Sequence, residues 1–393
     1  MQWRVVILSW VTYAVYYLGR VNLAGALPTV EAEFGWTAEQ TGILVSASLW
    51  TYAAGQLVNG WLGQQVNARR LVLAGLVGSS VLNLLFALVA GPTALPLLLM
   101  LWLVNGFFQA MGWGPILRTL SETLTTAQRR RISGLFGASY VVGSAATWLL
   151  TGLLLSSGQW RLAFAVPALL MTAMGVVWYS LSPRAGTSGE AGRVLRLADV
   201  RSMLRQILPV TLTALIAGAL INGALFFAPS FAAEQLPLDQ AAFVAVIFPI
   251  CGLIGTAWLG GKVLERFGDP LVSLTALLAL SALARGLHFV LPPSTATSVI
   301  LLAAMGITSY ALTNVLLTAV PLITYAHLGT SMVAGVLDAT HSVGGAIGGT
   351  VVGFMIARGG WTWVFLLWTV LPLIAIGFVS AVRYRQFVQA SRT

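Results

Sequence analysis

Charge is what this sequence has least of. Asp, Glu, Lys and Arg make up 8% of its 393 residues, and 58% are hydrophobic; an ordinary soluble domain carries roughly a quarter of its residues charged. That excludes a soluble globular protein and points to an integral membrane protein. Cysteine is nearly absent too. The single Cys251 lies in an apolar run, so neither an intramolecular disulfide nor a cysteine metal cluster is available. No nucleophile triad, metal-ligand spacing or nucleotide-binding loop occurs, so an enzyme reading has little to stand on and no cofactor or metal is expected. Acidic residues are also few, 11 against 21 basic ones, for a net charge of +10. Such an excess would suit nucleic acid, but the basic residues fall in short loops between apolar runs. They read as topology signals, and no nucleic-acid partner is expected.

A helix needs about 20 mostly apolar residues to cross a bilayer. Twelve runs qualify, at 4–27, 41–63, 71–90, 95–118, 132–155, 161–182, 207–233, 240–261, 270–291, 297–324, 331–357 and 361–382. The first is as long as a span and ends on no small-residue cleavage site, so it is expected to be a helix rather than a signal peptide. With both termini on one side, 17 of the 21 basic residues gather there, including Arg4, Arg69, Arg70, Arg118, Arg129–Arg131, Lys262, Arg266 and Arg383. The other side keeps Arg161, Arg285 and Arg358. The positive-inside rule then places both termini in the cytoplasm, and the cell's inner (plasma) membrane is the expected location.

The longest connection, 183–206, is rich in Gly, Ser and Arg and separates bundles of six spans at 1–182 and 207–393. Within it, Leu197, Val200, Met203 and Leu204 fall on one side of a helix, which suits a segment lying on the inner leaflet. The two halves repeat at an offset of 201 residues: Gly143, Gly152, Trp160 and Phe164 recur as Gly344, Gly353, Trp361 and Phe365. Two pseudo-symmetric six-helix bundles joined by a basic linker resemble the major facilitator fold, an all-α polytopic membrane architecture. The stretches Gly60–Arg70 and Gly261–Gly268 resemble its loop motif, the first with Gln64 where an acid is expected and the second keeping Glu265 and Arg266. They read either as a cytoplasmic gate, with Arg69, Arg70 and Arg118, or as basic turns that only set topology.

From Val5 to Leu27 the first span holds one charge, Arg20. A guanidinium cannot lose its proton to escape an apolar medium. Tyr17 at i−3, Tyr16 at i−4 and Tyr13 at i−7 share its helical face, which reads as an anion pocket; snorkelling or binding of backbone carbonyls is the alternative. In the major facilitator architecture spans one, four, seven and ten line a central cavity. Asn105, Gln109 and Trp113 form a stripe on span four, Gly306, Tyr310 and Asn314 are their repeats on span ten, and Asn222 stands in span seven. These amides either face the cavity or bond neighbouring helices. Asp338 is the sole acid well inside a span, with His341 one turn later; the pair reads as a proton relay or as a structural acid bonded to a neighbouring helix.

Tyr16-Tyr-Leu-Gly-Arg-Val-Asn22 and, still more, Asn105-Gly-Phe-Phe-Gln-Ala-Met-Gly-Trp-Gly-Pro115 resemble the organophosphate:phosphate antiporters. That resemblance implies Arg20 as the phosphate-binding arginine, with Tyr13, Tyr17 and Tyr52 beside it. It also implies that a second-span lysine falls at Gln56, a fifth-span histidine at Tyr140 and a second arginine at Ile221. With one guanidinium instead of two, half of a symmetric phosphate clamp is missing.

The function expected is therefore secondary transport of a small organic anion, an organophosphate exchanged for phosphate by alternating access. A proton-coupled symporter of a carboxylate or sugar acid and a transporter-like sensor of sugar phosphates are the alternatives. The partners expected are the anion, a counter-anion or proton and the lipid bilayer, and the protein is expected to be a monomer.

Overall fold

A computed structural model of the chain describes residues 3–36, 38–91, 93–155, 158–183, 197–232, 234–235, 244 and 246–390. Among these residues the secondary structure is helical and contains no strand, as a chain in hydrocarbon requires when every backbone group must bond within its own segment. Among the described residues, ten of the twelve expected spans form helices long and apolar enough to cross a membrane, from Ala68–Val89 to Arg358–Tyr384. Span two is the helix Ala38–Gln65. Span one is broken: Trp3–Tyr16 gives way to a 3-10 turn at Tyr17–Gly19, and a helix resumes at Asn22–Phe34.

Spans eleven and twelve run together as Thr330–Ala390 except at Gly360, whose φ of 67° divides them. Only glycine adopts that conformation without strain. The linker ends differently from expectation. Its first part, 184–196, lies outside the described residues, and from Leu197 the helix continues unbroken to Ala232, so its amphipathic turn is the start of span seven rather than a separate helix.

The chain forms two compact units. The first comprises Met1–Thr125, Ser139–Val194 and Ala326–Ala339, the second Thr126–Ala138, Leu195–Tyr325 and Thr340–Thr393. The first is cored by a cluster around Leu23, Val30, Phe86, Trp102, Trp160 and Phe164, with Phe86 and Phe164 stacked at 4.4 Å. The second has the repeat of it: Trp361 and Phe365 pack with Phe231, and His288 stacks on Phe365 at 4.0 Å. The internal repeat is therefore a repeat of packing as well as of letters.

Candidate functional site

Arg20 sits where span one breaks. Its own backbone N–H and that of Val21 both reach the Tyr17 carbonyl, so the turn frees the carbonyl of Gly19. Two buried amides take it. Asn105 donates to the Gly19 oxygen at 3.0 Å and Asn83 at 3.4 Å. The same polar layer continues: Ser79 donates to Asn105 Oδ1 at 2.6 Å, Gln109 donates to Ser79 Oγ at 2.7 Å, and Arg20 Nε donates to Gln109 Oε1 at 3.2 Å. A hydrogen-bonded loop thus leaves the guanidinium and returns to the residue beside it. Each member is spent as donor and acceptor in one consistent direction, which fixes the arginine's position.

The rest of the guanidinium is caged. Nη2 donates to the Gln109 carbonyl at 3.2 Å and Nη1 to the Tyr52 hydroxyl at 3.3 Å. The charge stands 4.5 Å from the Tyr17 ring centre, 4.3 Å from that of Tyr52 and 5.9 Å from that of Tyr13, within range of cation–π attraction. Tyr13 packs against Trp113 at 4.6 Å, and Tyr17 lies 6.3 Å from Tyr140. Arg20, Tyr17, Tyr140 and Asp338 are half-buried, so this face of the cage is open. Among the described residues, Arg20 forms no ion pair. The Tyr52 hydroxyl instead donates to Asp338 Oδ2 at 2.9 Å.

Glycines create that last contact. Where spans two and eleven cross, a methyl group on Gly60 would lie 3.1 Å from the Ser331 carbonyl oxygen, and one on Gly335 would collide with the backbone of Gln56. Two missing side chains let the backbones touch. One turn beyond Gly335 and two turns back from Gly60, Asp338 and Tyr52 meet. Gln56 is buried at the crossing itself, 1% exposed, where a long cation in its place would have no room to extend.

Several expected site residues do other work. The stripe on span four is interrupted, because the helix stops at Gln109 and restarts at Trp113; Asn105 and Gln109 enter the polar layer while Trp113 joins the tyrosines. Asp338 and His341 part company. Asp338 belongs to the first unit, whereas His341 belongs to the second and approaches Thr313 Oγ1 at 3.4 Å.

Asn314, 2% exposed, donates to the Thr256 carbonyl at 3.1 Å and accepts from Thr318 at 3.0 Å. Both neighbours lie in π-helical stretches, Gly255–Leu259 and Val315–Thr324, so Asn314 serves helix packing. Tyr310 packs against Phe248 at 5.8 Å, and Asn222 donates to the Gly218 carbonyl of its own helix at 3.1 Å.

The loop motif is likewise divided. Arg118 donates to the carbonyls of Gly63 at 2.7 Å and Gln64 at 2.9 Å and pairs with Glu122 at 2.6 Å, capping the end of span two with a cation. Arg69 donates to the Tyr179 carbonyl, and Arg70 is exposed on the same turn. In the second copy Glu265 pairs with Lys262 of its own helix at 3.2 Å, and Arg266 is exposed. Arg285, expected near a loop, is 0% exposed inside span nine. It donates to Ser281 Oγ at 2.6 Å and to Ser309 Oγ at 2.8 Å.

The profile of the Major Facilitator Superfamily matches residues 9–334. A probable hexose phosphate transport protein of Chlamydia muridarum is 30% identical over 165 residues, which are 42% of this chain and 36% of that protein. The chain thus matches about a third of the length of that relative. The probable sulfoacetate transporter SauU of Cupriavidus necator is 25% identical over 381 residues, covering 88% of this chain and 86% of the relative. The crystal structure of FucP, a Major Facilitator Superfamily transporter in the outward conformation, superposes with a TM-score of 0.76 at 15% identity, covering 96% of this chain and 98% of that one. At that identity the likeness is one of fold.

Proposed function

Because this chain belongs to the Major Facilitator Superfamily, we propose that it is a secondary transporter of a small organic anion, with Arg20 as the anion's anchor. The observation that carries the reading is a half-open guanidinium held by Gln109 and Tyr52, with no carboxylate in direct ion-pair contact among the described residues. Such a group offers donors in a planar fork to an arriving oxyanion. The substrate class follows the relatives, named for hexose phosphate and glycerol 3-phosphate as well as sulfoacetate. An organophosphate is exchanged for phosphate by alternating access between the two six-helix halves. The protein works as a monomer in the inner membrane with both termini cytoplasmic, on the strength of its basic loops.

Counterflow tests this. Purified protein in proteoliposomes loaded with phosphate should take up labelled glycerol 3-phosphate or glucose 6-phosphate faster than without internal phosphate. Arg20→Ala and Arg20→Lys should each lose uptake and ligand-induced thermal stabilisation. Indifference to internal phosphate ends the exchange reading, and full binding by Arg20→Ala ends the anchor reading.

A further inference from the structure

The tyrosine beside the anchor is already engaged. A tyrosine has one hydroxyl proton, and that of Tyr52 goes to Asp338 Oδ2 at 2.9 Å while its oxygen accepts from Arg20 Nη1 at 3.3 Å. An incoming oxyanion would use the same guanidinium and the same O–H. The carboxylate therefore stands where a ligand's second negative charge would otherwise find its partner. Nor is the arrangement a chance of side-chain rotation, since the backbone contact of spans two and eleven at Gly60 and Gly335 holds the two residues at this distance.

We propose that Asp338 is a tethered competitor for Arg20 that restricts the site to singly charged anions. This rests on the reading of Arg20 as the anion anchor and adds the charge class of the substrate. The groups around Asp338 set the charge count: Tyr52 and Arg20, with Tyr13 and Tyr17 on the broken span. His341 on Asp338's own helix is engaged with Thr313. With arginine positive and carboxylate negative the cluster is neutral before any ligand arrives.

A dianion would leave it doubly negative in a medium of low dielectric, whereas a monoanion leaves one charge that a single proton on Asp338 cancels. Protonated, Asp338 no longer needs the Tyr52 proton, and that hydroxyl turns to the ligand. Sulfate esters and simple sulfonates or carboxylates fit. A phosphate monoester fits as its singly protonated form, whose remaining proton leaves near pH 6.

The test uses two ligands of one shape. Glycerol 3-sulfate carries one charge and glycerol 3-phosphate two at pH 8, and the binding of each to the full-length protein is measured by calorimetry. The wild type should bind the sulfate about tenfold or more tightly than the phosphate. Asp338→Asn should raise phosphate affinity about tenfold and narrow or invert that ratio, while Asp338→Glu keeps it. A wild-type preference for the phosphate, or an Asp338→Asn ratio within twofold of wild type in protein that melts at the wild-type temperature, overturns the inference. Arg20→Ala separates the two readings, because if it still binds both esters the anchor itself is wrong, whatever Asp338 does.

Discussion

The side-chain amide of Asn105 donates to the carbonyl oxygen of Gly19 at 3.0 Å, and that bond occupies a backbone group that a continuous helix would have used itself. Asn105→Leu should leave the carbonyl and the Ser79 hydroxyl buried without this partner. A loss of about 1–3 kcal/mol in stability is expected, seen as a lower melting temperature in detergent, with weaker anion binding because Gln109 loses its support. Unchanged binding would show that Gln109 holds Arg20 unaided.

The crossing of spans two and eleven predicts a contrast between glycines. Gly335→Ala drives a methyl group into the Gln56 backbone, which cannot swing aside as a side chain could, whereas a methyl group at Gly152 meets nothing within 4 Å. Gly335→Ala should cost about 1–3 kcal/mol and slow transport, and Gly152→Ala should do neither. Equal behaviour of the two variants in melting and uptake would mean that the helices separate readily.

Arg285 is held by two serines, with no acid paired to it among the described residues. A lysine there has one compact ammonium and cannot span both hydroxyls with a rigid fork. Arg285→Lys is expected to lower stability by about 1–3 kcal/mol while leaving the KM for the transported anion unchanged. A large rise in KM in normally stable protein would make Arg285 a ligand of the substrate instead.

The two copies of the loop motif should differ in weight. Arg118→Ala removes the cation from the end of span two and should be destabilising by about 1–2 kcal/mol. Glu265→Gln, at an exposed pair of the same helix, should change stability by less than about 0.5 kcal/mol. Uptake rates and melting curves of the two variants decide it; a larger loss in Glu265→Gln would restore the symmetrical gate that the motif suggests.

Much of the fold was legible because a membrane span announces itself over 20 residues, and because the repeat carried the aromatic cluster from Phe164 to Phe365. The family resemblance agrees with the superfamily match. The grouping of Arg20 with Tyr13 and Tyr17 was legible for the same local reason, spacing along one helix face, whereas Tyr16, expected on that face, turns away to donate to the Val72 carbonyl at 2.9 Å. What could not be read was anything set by a meeting of distant segments. Tyr52 and Asp338 stand 286 positions apart and meet only because two glycines do. The amides at Asn22 and Asn83, in otherwise apolar runs, were a signal of the polar layer that periodicity passes over: Asn22 donates to Asn83 Oδ1 at 2.9 Å and to the Ala163 carbonyl at 3.0 Å. Arg285 misled because charge near a span's end looks like a loop until its side chain is seen to turn back toward Ser281.

The break in span one also has a history within each molecule. The groups that engage it, from Asn83, Asn105 and Ala163, belong to spans three, four and six, which leave the ribosome later. A newly inserted span one has none of them and is left with the backbone bonds of an unbroken helix as its cheapest state in lipid. The bend that seats Arg20 is therefore an acquired feature, complete only when the sixth span has arrived, and a chain interrupted before that point would carry the arginine without the pocket.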